Sequence, residues 1–278
     1  MTYPEKIERR IEEFPEMPAL CRNLLQSLED PNVDFSQLEE QIQYDPGLTS
    51  NVLRLANSAY FGAAGSVNSL RVALMRLGTR RISEVVTAIM VSPMMLRTLS
   101  GYDLRTQDLL QHSVWVAVAS EELARLKGYR DVKMLFTAGL LHDMGKIILD
   151  PFVREQQENL LHEGLSQSFD QREKEYLGMS HAQAGATLLG KWNIPQEITA
   201  AATWHHDPES AEEYPEQVNM VHLADILGYA EGIGTGVDGM KYRASQMAQK
   251  RLGLQKSDIE YVASLTLDKM NELQSLLT

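Results

Sequence analysis

The chain has 278 residues, with 26 Lys plus Arg against 38 Asp plus Glu, which gives a formal net charge of −12. Its 44% apolar and 23% charged residues are typical of a folded globular protein and exclude a disordered chain. Cys21 is the single cysteine, so an intramolecular disulfide framework and a cysteine-rich metal site are excluded as well.

Charge and hydropathy also restrict the surroundings in which the protein works. No run of eighteen apolar residues exists, so we expect no membrane span. The N-terminal segment lacks the apolar core of a signal peptide, and we therefore expect a cytoplasmic protein. Nucleic acid is not an expected partner, because phosphate contact needs clustered Lys and Arg and this chain is acidic.

Apolar residues recur at three- and four-residue spacing along most of the chain, which predicts an all-α protein. Local signals agree: Asp45 before Pro46 is typical of a helix start, and Ser180 with Gln183 forms a capping box. The predicted helical stretches lie near residues 17–29, 46–60, 80–97, 108–126, 131–149, 181–192, 217–230 and 257–277.

The distribution of histidine predicts two parts. The first hundred residues contain no histidine and the remainder contains all seven. With a weak seam at Ser100–Asp103, this predicts an N-terminal helical subdomain over residues 1–100 and a C-terminal helical subdomain with a site over residues 101–278. The glycine-rich segment 231–239 is interpreted as a flexible surface loop. Its formal GxGxxG match at residues 234–239 is weak evidence for a nucleotide, because no strand precedes it.

The densest chemistry is His142-Asp143, within an otherwise apolar predicted helix. Adjacent side chains point about 100 degrees apart on a helix, so they can serve one metal from its side or two metals from between. A buried, unpaired aspartate costs several kcal/mol, so Asp143 should have a partner. The alternative interpretation is a helix-end ion pair or a core histidine with satisfied hydrogen bonds.

Other predicted helices bring further His or Asp side chains toward the interior. His112 has small neighbours that would let another helix approach, and His181 lies in the first turn after the Ser180 cap. His205-His206 stands just before the helix end expected at Asp207-Pro208, and Asp225 lies in an apolar helix. Five independent core sites are the alternative, but buried polar groups need partners. The set therefore favours a site for divalent metals, with about enough ligands for two.

In this order the residues resemble the HD superfamily of metal-dependent phosphohydrolases, and their arrangement is most similar to its two-metal HD-GYP branch. Over the whole chain the sequence is identified as a member of the HDOD family, the HD-related output domains of bacterial signalling proteins. This resemblance implies an HD-like helical bundle over residues 101–278, with the N-terminal helical subdomain of HDOD proteins over residues 1–100. The segments that carry this resemblance are residues 14–18 (FPEMP), 44–49 (YDPGLT), 53–62 (LRLANSAYFG), 73–78 (ALMRLG), 181–186 (HAQAGA) and 192–195 (WNIP), followed by His205-His206.

The resemblance implies a role for each residue of the set. One metal would be held by His112, His142, Asp143 and Asp225, and a second by His181, His205 and His206, with Asp143 bridging. Lys146 would approach a substrate phosphate, so Asp143 and Lys146 are the candidate catalytic residues. Asp108 and His222 are candidate supporting residues around the ligands. A site of imidazole and carboxylate favours iron or manganese, with zinc or magnesium as alternatives.

Two functions follow as hypotheses. The first is a bacterial signal-transduction or regulatory module that keeps its metal site and passes a state to a signalling protein or a small phosphorylated ligand. The second is an active metal-dependent phosphohydrolase of a nucleotide or other phosphoester, in which Asp143 bridges the metals and Lys146 neutralises developing charge. Cyclic di-GMP hydrolysis is not expected, because His205-His206 is followed by Asp-Pro-Glu instead of the Gly-Tyr-Pro signature.

Overall fold

The computed structural model describes residues 1–27, 35–43, 45–58, 66–129, 134–161, 167–239 and 242–277. These ranges contain fifteen helices and no strand, which confirms the predicted all-α class. Tyr44, residues 59–62 of one HDOD-like segment, and His162 lie outside the described residues. The helices are α1 (Tyr3–Glu13), α2 (Ala19–Ser27), α3 (Phe35–Gln43), α4 (Pro46–Ala56), α5 (Leu70–Met95), α6 (Asp108–Leu126), α7 (Leu135–Leu141), α8 (Gly145–Glu155), α9 (Gln157–Leu161), α10 (Phe169–Leu177), α11 (His181–Lys191), α12 (Gln196–Trp204), α13 (Pro215–Ala230), α14 (Gln246–Arg251) and α15 (Lys256–Leu277).

The local start signals act as predicted. The side chain of Asp45 accepts a hydrogen bond of 2.9 Å from the backbone N–H of Leu48, and Ser180 and Gln183 form the predicted capping box of α11. The predicted stretch 80–97 begins ten residues later than α5 and ends two residues after it. Gly78 interrupts α5 with a φ of 75°, a backbone conformation that glycine adopts without a steric penalty.

Helix α6 runs through the core. It packs against α7, α13 and α15, and nearly every side chain from Leu109 to Ala124 is buried. A helix that is buried on all sides exposes no face to solvent, so its polar side chains need hydrogen-bond partners inside the protein. Trp115 is one example, with its indole N–H donating to the backbone oxygen of Ala224 on α13 at 3.1 Å.

Helix α11 is the second element that positions the site. It packs against α8 and α12, and α1 covers both α8 and α11. Lys191 fixes this cover by donating to the backbone oxygens of Ile11, Glu12 and Phe14 at 3.1, 2.7 and 3.0 Å. The division at residue 100 stays a prediction. No helix in the described ranges has the length and apolar character needed to cross a bilayer.

The segment Ser100–Asp103 is a packed turn. Backbone hydrogen bonds between Leu99 and Leu104, of 2.9 and 3.0 Å, close it. The N–H of Gly101 donates to Oδ1 of Asp150 at 2.7 Å, and Tyr102 is fully buried. This turn therefore places the side chain of Tyr102 in the interior and lies against α8.

Candidate metal centre

His142 and Asp143 lie in a turn, so the predicted continuous helix over 131–149 is wrong at its centre. Helix α7 ends at Leu141 and α8 begins at Gly145. The intervening backbone closes with hydrogen bonds between residues three apart, such as Lys146 N–H to Asp143 O at 3.0 Å. This tighter winding changes the angle between the two side chains, and both are fully buried at the same centre.

A close backbone contact fixes that turn against α11. A Cβ atom on Gly145 would lie 1.9 Å from the carbonyl oxygen of His181 and 2.5 Å from the backbone nitrogen of Gly185. Such distances are far inside van der Waals contact, so the turn can approach α11 only because residue 145 is glycine. The approach brings Nε2 of His181 to 3.6 Å from Oδ1 of Asp143.

The two oxygens of Asp143 face different histidines. Oδ1 lies 3.6 Å from Nε2 of His181 and 3.7 Å from Nε2 of His205, whereas Oδ2 lies 3.4 Å from Nε2 of His142 and 4.0 Å from Nε2 of His112. Asp143 therefore stands between two groups of imidazoles.

Asp225 lies on the His112 side of the cluster. Its Oδ1 is 2.8 Å from Nε2 of His112 and 3.7 Å from Nε2 of His142. Its Oδ2 is 3.7 Å from Nδ1 of His206, whose Nε2 lies 2.9 Å from Nε2 of His181. All seven residues that the sequence nominates as metal ligands thus come together. Three triads have donor atoms within 4.8 Å of one another: His181, His205 and His206; His112, His142 and Asp225; and His142, Asp143 and His205.

Backbone carbonyls orient three of the imidazole rings. In each, Nδ1–H donates to a carbonyl oxygen, which directs Nε2 at the centre. These hydrogen bonds join His112 to Ile233 at 3.0 Å, His142 to Gly139 at 2.7 Å and His205 to Ala202 at 2.9 Å. The tautomers of His142 and His205 suit Nε2 coordination before any metal arrives, whereas Nε2 of His112 lies 2.8 Å from Oδ1 of Asp225.

A buried carboxylate, Glu173, orients His181 in place of a carbonyl. Its Oε2 accepts from Nδ1–H and from the backbone N–H of His181 at 2.6 and 2.7 Å, while Oε1 accepts from the hydroxyl of Tyr102 at 2.5 Å. Burial lowers the pKa of His181, but the charge and hydrogen bond of Glu173 outweigh burial and raise that pKa to about 9. Sequence reasoning missed Glu173 and Tyr102. Glu173 lies within α10, seven residues before Ser180, the cap that introduces His181.

Among the described residues, several buried polar atoms at the centre lack a hydrogen-bond partner. Four of them are acceptors: Nε2 of His142, Oδ1 of Asp143, Nε2 of His205 and Oδ2 of Asp225. Buried acceptors without partners are costly, and these four belong to one cluster. Divalent cations bound by imidazole nitrogen and carboxylate oxygen would satisfy all four, so the residues present fit such ions.

The carboxylates of the cluster are ionised and two of its histidines are neutral. Burial raises the pKa of Asp143, but the charge of Lys146 and the neighbouring imidazoles outweigh burial and hold that pKa well below its usual range. The surrounding imidazoles, of which His112 lies 2.8 Å from Oδ1 of Asp225, outweigh burial and hold the pKa of Asp225 well below its usual range. Burial lowers the pKa of His205 and His206. Ionised carboxylates and neutral imidazoles are the forms that bind metals.

Lys146 approaches the cluster from one turn beyond Asp143. Its Nζ lies 2.7 Å from Oδ2 of Asp143, 2.7 Å from Oδ2 of Asp238 and 3.0 Å from the hydroxyl of Tyr229. Only 2% of the lysine is exposed, and its ammonium lies 5.7 Å from the ring centroid of Tyr102 and 5.5 Å from that of Tyr229. The two carboxylates raise its pKa against the effect of burial. Lys146 is therefore a charged lysine held between two aspartates.

Asp238 belongs to the glycine-rich segment, and the interpretation of that segment as a surface loop is wrong at this residue. Asp238 is fully buried, and its neighbour Val237 donates its N–H to the carbonyl oxygen of Tyr102 at 2.9 Å. A Cβ on Gly236 would lie 2.3 Å from that same oxygen. The glycines allow close backbone approach to the site. An aspartate between glycines is an ordinary turn signal, so the local sequence gave no reason to place Asp238 inside.

The two candidate supporting residues differ in position. His222 uses both ring nitrogens: Nδ1–H donates to the carbonyl oxygen of His205 at 2.6 Å, and Nε2 accepts from the N–H of Ser245 at 2.9 Å. His222 therefore helps to hold the backbone of His205 in place and has no free ring nitrogen for a metal. Asp108 is half-buried at the start of α6, where its carboxylate accepts from the N–H of Arg105 at 2.8 Å. This hydrogen bond is typical of a helix start.

Known proteins share this fold and sequence pattern. The chain is 24% identical over 224 residues to an uncharacterized protein from Treponema pallidum (strain Nichols), an alignment that covers 79% of this chain and 43% of that protein. The chain thus spans less than half the length of this relative.

Two solved structures superpose on nearly the whole chain. An HDOD domain protein of unknown function from Geobacter sulfurreducens has a TM-score of 0.73 at 24% identity, over 95% of this chain and 92% of that one. A proposed phosphohydrolase from Shewanella amazonensis SB2B has a TM-score of 0.71 at 25% identity, over 98% of both chains. The sequence profile of the HDOD domain matches residues 14–208. Together with the fold, this match shows that the chain belongs to the HDOD domain family.

Proposed function

We propose that this protein is a bacterial signal-transduction module of the HDOD family whose buried His/Asp cluster binds divalent metal. The observation that carries the proposal is the set of four acceptor atoms without hydrogen-bond partners among the described residues, which converge from the α7–α8 turn, the end of α12 and α13. A core that needed these residues only for packing would pair their polar atoms with one another or with backbone.

The arrangement around Asp143 supports two metals. Each of its oxygens is directed toward a different pair of histidines, and a carboxylate can bridge two cations in this way. One ion would take His112, His142, Asp143 and Asp225, and the other Asp143, His181, His205 and His206. The donors are imidazole and carboxylate without sulfur, which favours iron or manganese over softer metals.

A regulatory role is favoured over turnover by the state of Lys146. A lysine that neutralises charge on a phosphoester must be free to approach it, whereas the charge of Lys146 is already matched by Asp143 and Asp238. Six of the seven proposed ligands are also buried, which leaves little room for substrate. We propose that metal occupancy sets the state that a signalling protein or a small phosphorylated ligand recognises.

Phosphoester hydrolysis is the second candidate. It is supported by the contact between Lys146 and Asp143 and by the likeness to the proposed Shewanella phosphohydrolase. Bound divalent metals would supply Lewis acidity toward a phosphoryl oxygen. Asp143 would then bridge both ions, and the ammonium of Lys146 would leave Asp238 and form an ion pair with the phosphate.

Metal analysis followed by a hydrolysis screen tests both candidates. The purified chain is reconstituted with Fe²⁺ or Mn²⁺ and assayed for bound metal by mass spectrometry, next to Asp143→Ala and the exposed control Asp268→Ala. We expect metal in the wild-type chain and in the control, and a large loss in Asp143→Ala. The three proteins are then incubated with bis(p-nitrophenyl) phosphate and with a nucleotide panel.

Each result decides between the candidates. Bound metal without turnover supports the regulatory module. Metal-dependent turnover that disappears in Asp143→Ala makes the protein a phosphohydrolase. A wild-type chain that takes up no metal after reconstitution overturns the metal-binding proposal itself.

A further inference from the structure

The buried charges around Lys146 are arranged in a way that bears on metal binding. The ammonium is 2.7 Å from one carboxylate that belongs to the cluster, Asp143, and 2.7 Å from one that does not, Asp238. Asp238 is fully buried and lies outside the residues that match the HDOD profile. Its second oxygen, Oδ1, has no hydrogen-bond partner.

A metal and Lys146 compete for the same oxygen. Oδ2 of Asp143 faces His142 and His112 as a ligand atom, and the same Oδ2 holds the lysine ammonium. A cation bound there would repel the ammonium and take over its partner. Without another counter-charge, the lysine would be left buried and unpaired, which is strongly unfavourable.

We propose that Asp238 is a positioning residue for the metal centre: it holds the charge of Lys146 so that Asp143 is released to bind metal. This inference rests on the proposed metal-binding function. Asp238 touches no metal in this scheme and acts only through Lys146. The hydroxyl of Tyr229, 3.0 Å from Nζ, is the remaining polar contact of the lysine.

The packing of the glycine-rich segment 231–239 places the carboxylate of Asp238 beside Lys146. The segment is anchored where Ile233 accepts a hydrogen bond from Nδ1–H of His112 and where Val237 donates to the carbonyl oxygen of Tyr102. Gly234 has a φ of 55°, and a Cβ there would lie 2.2 Å from the carbonyl oxygen of Asp108. The formal GxGxxG match thus reflects close packing against the centre.

A double-mutant cycle with Mn²⁺ tests the inference. Mn²⁺ affinity is measured by calorimetry for wild type, Asp238→Asn, Lys146→Met, the double variant Asp238→Asn/Lys146→Met, and the exposed control Asp268→Asn. Asp238→Asn leaves Lys146 to Asp143 alone, so we expect affinity to fall by about 10-fold or more, the usual scale for residues that support metal ligands. In the double variant the competitor is gone, so affinity should return to the wild-type value or exceed it.

The outcomes separate this inference from the proposed function. If wild type binds Mn²⁺ and Asp238→Asn binds it equally well, the inference fails and the metal site stands. If Asp238→Asn and the double variant both bind weakly, Asp238 has a purely structural role and the inference fails as well. If wild type binds no Mn²⁺, both proposals fall together.

Circular dichroism in EDTA checks folding. Should Asp238→Asn not fold, the double variant decides alone, because it must bind at least as tightly as wild type.

Discussion

Oε2 of Glu173 lies 2.6 Å from Nδ1 of His181 and also accepts the backbone N–H of the same residue at 2.7 Å. The contact keeps His181 protonated at neutral pH in the metal-free protein, with a pKa of about 9. Nε2–H of His181 then donates to Nε2 of His206 at 2.9 Å. A metal at His181 must displace that proton.

Metal binding should therefore release about one proton from His181 at pH 8. The ordinary histidine pKa is near 6.5, so in Glu173→Gln this residue is already neutral at pH 8 and its proton release should fall toward zero. Calorimetric titration with Mn²⁺ in two buffers of different ionisation enthalpy measures the proton count. Glu175→Gln, an exposed change on the same helix, should behave as wild type. An unchanged count in Glu173→Gln would contradict this assignment.

Gly145→Ala should disrupt the fold at the site. The new methyl would lie 1.9 Å from the carbonyl oxygen of His181, so α8 and α11 must separate. Overpacking of this kind costs about 1–3 kcal/mol, and a backbone clash this close belongs at the upper end or beyond. Urea unfolding measures the loss. Gly190→Ala is the matched control, because it is exposed in α11 with no atom within 4 Å of the new Cβ and should gain up to about 1 kcal/mol. Equal effects of the two changes would argue against the close contact.

Glu84 should make the metal-free protein lose stability as pH rises. Burial and the nearby Glu121 raise the pKa of Glu84 to about 7, although Arg81 lies 2.6 Å away. The folded state then binds a proton more tightly than the unfolded state, so this contribution is full below about pH 4.5 and is lost as pH rises through about 7. The contribution of Glu84 to the free energy of unfolding is on the order of 1–3 kcal/mol.

The Glu84→Gln variant isolates the contribution of Glu84 to the pH dependence of the free energy of unfolding. Urea unfolding in EDTA at several values between pH 5 and 7.5 should show wild type losing stability relative to this variant as pH rises. Glu175→Gln should leave the wild-type slope unchanged. Parallel curves for wild type and Glu84→Gln would rule out the raised pKa.

Cys21 should be inert in the native protein. The thiol is fully buried, with Sγ directed at the carbonyl oxygen of Val86 at 3.9 Å, and burial raises its pKa to about 12. Thiolate is the reactive form, so labelling with Ellman's reagent at pH 8 should proceed only as fast as the chain unfolds. In guanidinium chloride the reaction should be immediate. Ser257→Cys, at an exposed position of α15, adds a second thiol that should react at once. Rapid labelling of native wild type would contradict the burial.

Short-range patterns determined the elements that carry the site. The caps at Asp45 and Ser180 depend on residues three positions apart, and the apolar periodicity of α6 depends on residues three and four apart. Such contacts form within one turn of helix, so the sequence alone predicts them. The same reasoning nominated His112 and Asp225 by asking which polar residues stand on buried faces. It nominated His142 and Asp143 as well, but the prediction of a continuous helix through them was wrong, because a turn packed against α11 separates α7 from α8 there.

The sequence by itself determined that this chain is helical, that it belongs with HDOD domains and which residues can offer metal ligands. Only the tertiary structure decided how those residues are supported. Glu173 meets His181 because α10 packs beside the start of α11, and Asp238 meets Lys146 because glycines let a loop lie against Tyr102. Neither carboxylate stands in a pattern that marks it as buried. A buried charge is stable only beside a matching one, and which charges become neighbours is settled when the helices pack.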